Sequence, residues 1–319
     1  MKNLKLLVGS LIAVYFCSCT REPAKYSQVE HKISSLQLPH KVLGIDHNYG
    51  ARIVMLRYYG QELLCSPTVN EENFGSTFWP SPQSDWGWPP IATLDKLPYS
   101  ITMNGTEIQY YSKPDKKSGL QVGKFFRINP ADSSFVINYI IKNISQEDKL
   151  VAPWEVTRRI AGGMCFFPAG PDSVMMKKSN LPGVTVKDGI VWFDYDSAKI
   201  TADSKLYAFA SGGWLANVKD SILFLKTFAD INDSQLPPGQ GEIEIYANKE
   251  KQYVELENHG EYTSLFPGDS LTYNMNWILK GIPENIDKSV GSKELVNWVR
   301  MVVFRNKYNM RKIILNSDF

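Results

Sequence analysis

The stretch GEIEIYANKEKQYVELEN, residues 241–258, indicates a β fold, because apolar and polar residues alternate along it twice, on either side of a short polar tip. Ile243 and Ile245 alternate with glutamates before the tip, and Val254 and Leu256 do so after it. A period of two sends successive side chains to opposite faces of an extended chain. The stretch therefore predicts a β-hairpin with one apolar face toward a core and one face of carboxylates and tyrosines.

The same alternation continues through most of the chain. It recurs in three further segments, at residues 50–64, 133–143 and 267–279. Clusters of Gly, Pro, Asn, Asp and Ser separate the segments and predict turns. Helical spacing is clearest in residues 292–306, where Ser292 is placed to cap a helix. We predict one large antiparallel β-sandwich over residues 39–283 and a helical tail over residues 284–319.

The N-terminus, MKNLKLLVGSLIAVYFCSC, has two lysines, an apolar run and then small residues, as secretory signal peptides do. The run is too short to span a membrane. FCSC followed by TREP resembles a bacterial lipobox, in which cleavage after Ser18 leaves Cys19 as the lipidated first residue. The alternative is an ordinary signal peptide with incidental cysteines. We expect residues 1–18 to be removed, residues 19–38 to form a polar tether, and the protein to be lipid-anchored in the bacterial cell envelope, on the outer-membrane or periplasmic side.

Composition excludes several classes of function. The 319 residues are 43% hydrophobic with a net charge of +2, and no basic stripe suggests nucleic-acid binding. Besides Cys17 and Cys19, only Cys65 and Cys165 occur, without zinc-site spacing, so they are buried thiols or one disulfide. None of the four histidines lies between residues 48 and 258, and no zinc-protease, serine-nucleophile or nucleotide-binding motif occurs. We therefore expect no metal and no cofactor.

The segment FWPSPQSDWGWPP, residues 78–90, concentrates three tryptophans and four prolines. Proline removes backbone donors, so the segment predicts a stiff loop rather than a helix or a central strand. Large aromatic side chains on a rigid loop are common walls of ligand sites. The alternative is that the tryptophans plug the end of the sandwich. The candidate ligand contacts in this segment are Trp79, Gln83, Asp85, Trp86 and Trp88.

Two further segments contain candidate site residues. In VAPWEVTRRIAGG, residues 151–163, an extended chain places Trp154 and Arg158 on one face and Glu155 on the other. Glu155 beside arginines is either a structural ion-pair partner or a ligand-facing carboxylate. In ASGGWLANV, Trp214 follows two glycines, which allow close backbone approach or merely a bend.

The polar face of the hairpin adds further carboxylates, with Glu255 or Glu257 as candidate ligand contacts. Carboxylates accept hydrogen bonds from sugar hydroxyls, while aromatic rings cover the apolar face of a sugar ring. The alternative is a solvated sheet face, for which alternating glutamates are ordinary.

Three stretches resemble known families. NYGARIVMLRYYGQELL, residues 48–64, and GQGEIEIY through LKGIP, residues 239–283, resemble parts of aldose 1-epimerase (galactose mutarotase) relatives. FWPSPQSDWGWPP resembles a segment of the DUF4380-type branch of bacterial lipoproteins. The likeness covers about residues 40–282. It implies an all-β, galactose mutarotase-like β-supersandwich with a sugar-binding cleft on one concave sheet, followed here by the short C-terminal helix.

The resemblance also implies roles for residues. Glu255 stands where the catalytic glutamate of mutarotases stands, and opening a sugar hemiacetal needs a base and an acid. In mutarotases the acid is a mid-chain histidine, which this sequence lacks. Either Glu155 acts as the acid with a pKa raised by burial, or the site binds without catalysing. His47 and His259 reach the cleft only if folding brings them there.

Three functions follow as hypotheses. The leading one is a lipoprotein that binds a mono- or oligosaccharide in a cleft lined by Trp and Glu. The second is an aldose 1-epimerase-like or other sugar-active enzyme that uses Glu155 and Glu255. The third is a structural or partner-binding lipoprotein, which predicts that Trp79, Trp86 and Trp88 are almost fully buried.

Overall fold

The computed structural model describes residues 33–170 and 178–317, with side chains described as far as residue 307. The predicted signal peptide, Cys19 and most of the predicted tether lie outside the described residues. Within the described residues the strands are β1 (Ile33–Leu38), β2 (Lys41–Asp46), β3 (Arg52–Tyr58), β4 (Gln61–Glu62), β5 (Ser76–Ser81), β6 (Ser100–Asn104), β7 (Glu107–Tyr111), β8 (Leu120–Asn129), β9 (Ser134–Asn143), β10 (Lys149–Ile160), β11 (Met164–Pro168), β12 (Val184–Lys187), β13 (Ile190–Asp194), β14 (Ser204–Ala208), β15 (Trp214–Lys219), β16 (Ile222–Thr227), β17 (Ile243–Ala247), β18 (Tyr253–His259), β19 (Thr263–Leu265) and β20 (Ser270–Gly281). The α-helices are α1 (Ala92–Asp95) and α2 (Lys293–Ser317).

The strands form two antiparallel sheets of ten strands each. Sheet I has the order β1-β2-β3-β5-β10-β18-β17-β14, with β4 paired to β3 and β19 paired to β10. Sheet II has the order β12-β13-β11-β15-β16-β20-β9-β8-β7-β6. The architecture confirms the predicted all-β class, a large antiparallel sandwich followed by a C-terminal helix.

The main core lies between the two sheets and is built by alternation along each strand. Ile243 and Ile245 of β17 and Val254 and Leu256 of β18 are fully buried in this core, as the hairpin pattern predicts. Sheet II contributes the alternating residues of β9 and β20, including Ile137. The residues between them in each strand point away from the core, so each sheet also has an outer face.

The outer face of sheet II is covered by α2. Phe166 and Trp192 pack with Leu295 and Val299 of the helix in a second hydrophobic cluster. The Ser292 side chain accepts a hydrogen bond from the Leu295 backbone N–H at 3.2 Å, which is the predicted cap. No described helix is both long enough and apolar enough to cross a membrane.

Three predictions need correction. The sandwich begins before residue 39, because Ile33–Leu38 pairs with β2 along its whole length. Trp214 does not face a ligand site: it lies in β15 within the cluster under α2 and is 3% exposed. Its two preceding glycines, both with positive φ, form the bend that leads into the strand.

The third correction concerns the Trp-Pro segment. Residues 78–81 are the end of strand β5, between β3 and β10, rather than loop. β3 pairs with β5 only at Ile53 and Ser76, so the end that contains Pro80 has no ladder partner on the β3 side. A missing backbone N–H is tolerated there. The rest of the segment, residues 82–90, lies outside strands and contains a short 3-10 turn at Gln83–Asp85.

Candidate functional site

The outer face of sheet I presents polar and aromatic side chains instead of an apolar surface. The register between β10 and β18 pairs Trp154 with His259, Val156 with Glu257, and Arg158 with Glu255. Because paired residues of antiparallel strands lie on the same face, these six side chains share one surface. We call it the polar face; its other members are Thr77 and Trp79 of β5, Glu244 and Tyr246 of β17, and Lys205 and Tyr207 of β14.

Lys205 is the cation at the centre of the carboxylates. Its Nζ lies 2.6 Å from Glu244 Oε2 and 2.8 Å from Glu257 Oε2. The Trp154 indole N–H donates to the same Glu257 oxygen at 2.8 Å. Burial alone would lower the pKa of Lys205, but Glu257 and Glu244 outweigh it and raise that pKa above its usual value. Lys205 is therefore a fixed positive charge at neutral pH.

Glu257 has one carboxylate oxygen that the protein does not use. The residue is fully buried, and no described side chain or backbone group donates a hydrogen bond to its Oε1. Burial raises the pKa of Glu257 despite the opposing effect of Lys205. A buried acceptor without a partner is costly in a folded protein, so this oxygen is a candidate for an external donor.

Glu255 lies nearer to solvent and pairs with Arg158. The Arg158 Nε is 2.8 Å from Glu255 Oε1, and the side chains of the two residues are 2% and 14% exposed. Burial raises the pKa of Glu255 to about 7, against the lowering effect of Arg158 and with the support of Glu257. The carboxyl group thus exchanges its proton near neutral pH, as a catalytic acid or base must.

Folding brings His259 to the polar face, a position that the sequence alone does not determine. Its ring stacks on Trp154 at 5.3 Å between centroids with 16° between planes. Its Nδ1 is 4.0 Å from Glu244 Oε1, beyond hydrogen-bond distance. Burial, reinforced by Lys205, holds the pKa of His259 well below its usual value, so the imidazole is neutral at neutral pH. His47 instead lies in the turn after β2, where its carbonyl accepts from the Tyr99 N–H.

Four tryptophans form an aromatic cluster at one end of the polar face. The Trp79 ring lies 5.0, 6.0 and 6.3 Å from the rings of Trp154, Trp86 and Trp88. Its indole N–H donates to Asp95 Oδ1 at 2.7 Å, which fixes the ring orientation. Trp79 and Trp154 are 5% and 4% exposed, Trp86 is half-buried and Trp88 is 60% exposed. The hypothesis that Trp79, Trp86 and Trp88 are almost fully buried therefore holds for Trp79 but not for Trp88.

The remaining predicted contacts of the Trp-Pro segment lie beside the aromatic cluster. Asp85 and Trp86 line a cavity of about 180 Å³ at the end of the sandwich. Trp88, Trp79 and Arg158 line a separate cavity of about 80 Å³. Gln83 donates from its amide to the Gly87 carbonyl at 3.4 Å and lines neither cavity.

Glu155 is not on the polar face, which corrects the predicted Glu155–Glu255 pair. It pairs in register with Asn258, and both point between the sheets. There Glu155 forms an ion pair with Lys226 of sheet II and accepts hydrogen bonds from Ser76 and Thr157. Glu155 lies on the face of sheet I opposite to Glu255 and therefore cannot meet a ligand that contacts Glu255.

Two residues of the polar face, Lys205 and Glu244, are not among the ligand contacts predicted from the sequence. Lys205 comes about 50 residues before β18 and has no motif around it. Glu244 is on the face that the hairpin pattern predicts, so alternation was the available signal. Among the described side chains, no group of three or more His, Cys, Asp or Glu residues is arranged to hold a metal ion.

Comparison with solved structures defines the class of fold. The chain resembles a TPR-domain containing protein from Parabacteroides distasonis, with a TM-score of 0.58 and 14% identity over 81% of this chain and 48% of that one. It thus spans about half the length of that protein. It also resembles galactose mutarotase-like proteins from Lactobacillus casei (TM-score 0.55, 10% identity, 78% and 100% coverage) and Clostridium acetobutylicum (TM-score 0.55, 9% identity, 79% and 96% coverage). The fold is therefore the galactose mutarotase-like β-supersandwich.

The family is narrower than the fold. A family model described as a domain of unknown function, DUF4380, matches residues 87–280, which is more than half of the chain. The chain belongs to the DUF4380 family, as the resemblance of its Trp-Pro segment implies. No curated protein sequence matches the chain significantly.

Proposed function

We propose that the polar face binds carbohydrate. The observation that carries the proposal is the buried, unpartnered Oε1 of Glu257 beside the Glu255–Arg158 pair and the indole of Trp154. A sugar hydroxyl supplies the missing donor, Arg158 and Lys205 donate to sugar oxygens, and the indoles cover apolar C–H faces. The sites of most small ligands combine such an aromatic wall with a few converging polar groups.

The fold supports this proposal. Several solved structures with the same fold are described as galactose mutarotase-like, and the fold likeness makes a sugar the first ligand class to test. The polar face crosses five adjacent strands from β5 to β14. At the usual strand spacing this corresponds to a width of about 19 Å.

A titration with mono- and oligosaccharides, followed by tryptophan fluorescence, tests the proposal. Glu255→Gln keeps the shape of the side chain but removes its charge, and we expect at least about a tenfold loss of affinity. Glu250→Gln is the matched control, because Glu250 is exposed in the hairpin tip. Equal affinities of wild type and Glu255→Gln would reject the polar face as the site. No binding by any sugar would favour the structural or partner-binding hypothesis.

A second candidate function is catalysis of anomer interconversion. Glu255 and Glu257 replace the predicted Glu155–Glu255 pair, because they lie on one face of β18, two residues or about 7 Å apart along the strand. The pKa of Glu255, about 7, suits it to transfer a proton at neutral pH. NMR of an anomerically pure sugar tests this: wild type should speed equilibration, and Glu255→Gln should not. Sugar binding without faster equilibration would leave recognition alone as the function.

We also propose that the mature protein is a lipoprotein anchored through Cys19 in the cell envelope. The support is the sequence pattern of the N-terminus, since these residues lie outside those described. Cys19→Ser should move the protein from the membrane fraction to the soluble fraction of a bacterial host. An unchanged distribution would contradict a lipid anchor at this residue.

A further inference from the structure

The cavity beside Trp86 lies at one end of the sandwich, apart from the carboxylates of the polar face. It is bounded by the end of β5, the start of β8 and the start of β10. Its volume is about 180 Å³, and its lining includes Asp85, Trp86, Ile91, Lys117, Lys149 and Leu150. A cavity of roughly 150 Å³ admits a benzene ring. The cavity beside Trp86 therefore has room for the ring of a sugar but not for all of its substituents, whereas the cavity of about 80 Å³ beside Trp88 takes only a substituent.

Trp86 connects this cavity to the polar face. Its indole N–H donates to the Pro80 carbonyl at 2.8 Å, which holds the ring in place. The same ring lies 6.4 Å from Trp154 on the polar face. Two linked sugar rings can span that distance.

The charged groups around the cavity favour an anion. Lys117 and Lys149 line it together with a single carboxylate, Asp85. Lys117 also acts electrostatically on Asp115, but that carboxylate accepts two hydrogen bonds from Ser118 within its own turn and does not line the cavity. The lining thus has a net charge of +1, which attracts an anion at low ionic strength.

We propose that this cavity is a second sugar subsite that takes an anionic ring, one carrying a carboxylate or a sulfate. The indole of Trp86 stacks on the ring, Lys117 and Lys149 meet its acidic group, and the neighbouring ring of the same oligosaccharide occupies the polar face. The ligand is then an acidic oligosaccharide rather than a neutral monosaccharide. This inference rests on the carbohydrate binding proposed above and adds the substrate class.

The experiment compares charged and uncharged forms of the same sugars. Disaccharides of galacturonate, glucuronate and mannuronate are titrated as carboxylate salts and as methyl esters, at low and high salt. Sulfated galactose disaccharides are titrated beside their unsulfated forms under the same conditions. Wild type should prefer an anionic form about 5- to 10-fold at low salt, since two exposed ion pairs supply a factor of that size. A preference confined to uronates or to sulfated sugars identifies the acidic group.

Variants assign the preference to the cavity. The double variant Lys117→Gln and Lys149→Gln should lose the preference while it keeps its affinity for the uncharged forms. Lys116→Gln with Lys142→Gln is the matched control, because both lysines are exposed and neither lines the cavity. Trp86→Ala should weaken the binding of disaccharides more than the binding of monosaccharides.

The outcomes separate this inference from the proposed function. If uncharged sugars bind and Glu255→Gln abolishes that binding, but no anionic form is preferred, the second subsite is wrong and the polar face stands. A preference that survives in the double lysine variant also overturns the subsite. If no sugar binds to the wild type, both proposals fail together.

Discussion

Glu155 and Glu255 lie on paired strands, yet their carboxylates have opposite surroundings. Glu155 points between the sheets and meets Lys226, whereas Glu255 points outward and meets Arg158. Both residues of the first pair have fully buried side chains, and a buried pair compensates the cost of removing two charges from water only while both partners are present. The two carboxylates should therefore respond differently to substitution.

The inner pair yields a stability prediction. Lys226→Met removes the cation and leaves Glu155 as an unpaired buried carboxylate. We expect a loss of about 3–5 kcal/mol in the free energy of unfolding. Adding Glu155→Gln should restore most of the loss, because the amide still accepts from Ser76 and Thr157. Urea denaturation of both variants measures this; a double variant no more stable than Lys226→Met would refute the account.

The outer carboxylate yields a prediction about pH. The pKa of Glu255 rises from its usual 4.5 to about 7 on folding, so the native state holds this proton more tightly than the unfolded state. Its contribution is fully present below about pH 4.5 and is lost as pH rises toward 7. Relative to Glu255→Gln, the free energy of unfolding of the wild type should fall by up to about 3 kcal/mol between pH 5 and pH 8. Urea midpoints at four pH values test this, and parallel curves would contradict it.

At the scale of elements, α2 acts as a cover for sheet II. Leu295 and Val299 are fully buried against the outer face of that sheet, while Met301 on the same helix is 53% exposed. Without the helix, Trp192 and Trp214 would face water. The helix is thus a structural part of the sandwich rather than an appended tail.

This role predicts a contrast within one helix. Leu295→Ala should lower the free energy of unfolding by about 2–5 kcal/mol, because it leaves a cavity in the cluster under α2. Met301→Ala, in the same helix but largely exposed, should change it by less than about 0.5 kcal/mol. Similar losses for both substitutions would show that helix propensity, and not packing on sheet II, determines the effect.

At the scale of the whole molecule, the two cysteines of the sandwich are free thiols in separate places. Cys65 follows β4 and Cys165 lies in β11, and both are buried. Burial raises the pKa of Cys65 to about 11 and that of Cys165 to about 12. The structure thus selects buried thiols over the alternative of one disulfide, and the sandwich holds without a covalent link between these residues.

A thiol titration tests whether Cys65 and Cys165 are free, buried thiols. In a variant with Cys17 and Cys19 replaced by serine, the native protein should not react with a thiol reagent at pH 8, because buried protonated thiols are inert. Both thiols should react in denaturant, and a reductant should leave the urea midpoint unchanged. A midpoint that falls on reduction would show a disulfide.

The alternation of residues along a strand is enough to predict which of its side chains share a face. The alternation in residues 241–258 correctly separated Ile243 and Leu256, in the core, from Glu244 and Glu255, on the outer face. This works because side-chain direction in a strand is a local property with a period of two. The apolar spacing of residues 292–306 identified α2 for the same reason, with a period of 3.6.

Which strands are neighbours, and which side chains each face contacts, depends on how the whole chain packs. Lys205 joins Glu257 because β14 pairs with β17 at the edge of sheet I, and Glu155 meets Lys226 because the sheets stack. Trp214 is no ligand contact because α2 covers it. Sheet order and stacking bring together residues 50 to 100 positions apart, and the free energy that selects them is spread over the whole core rather than encoded in any one segment.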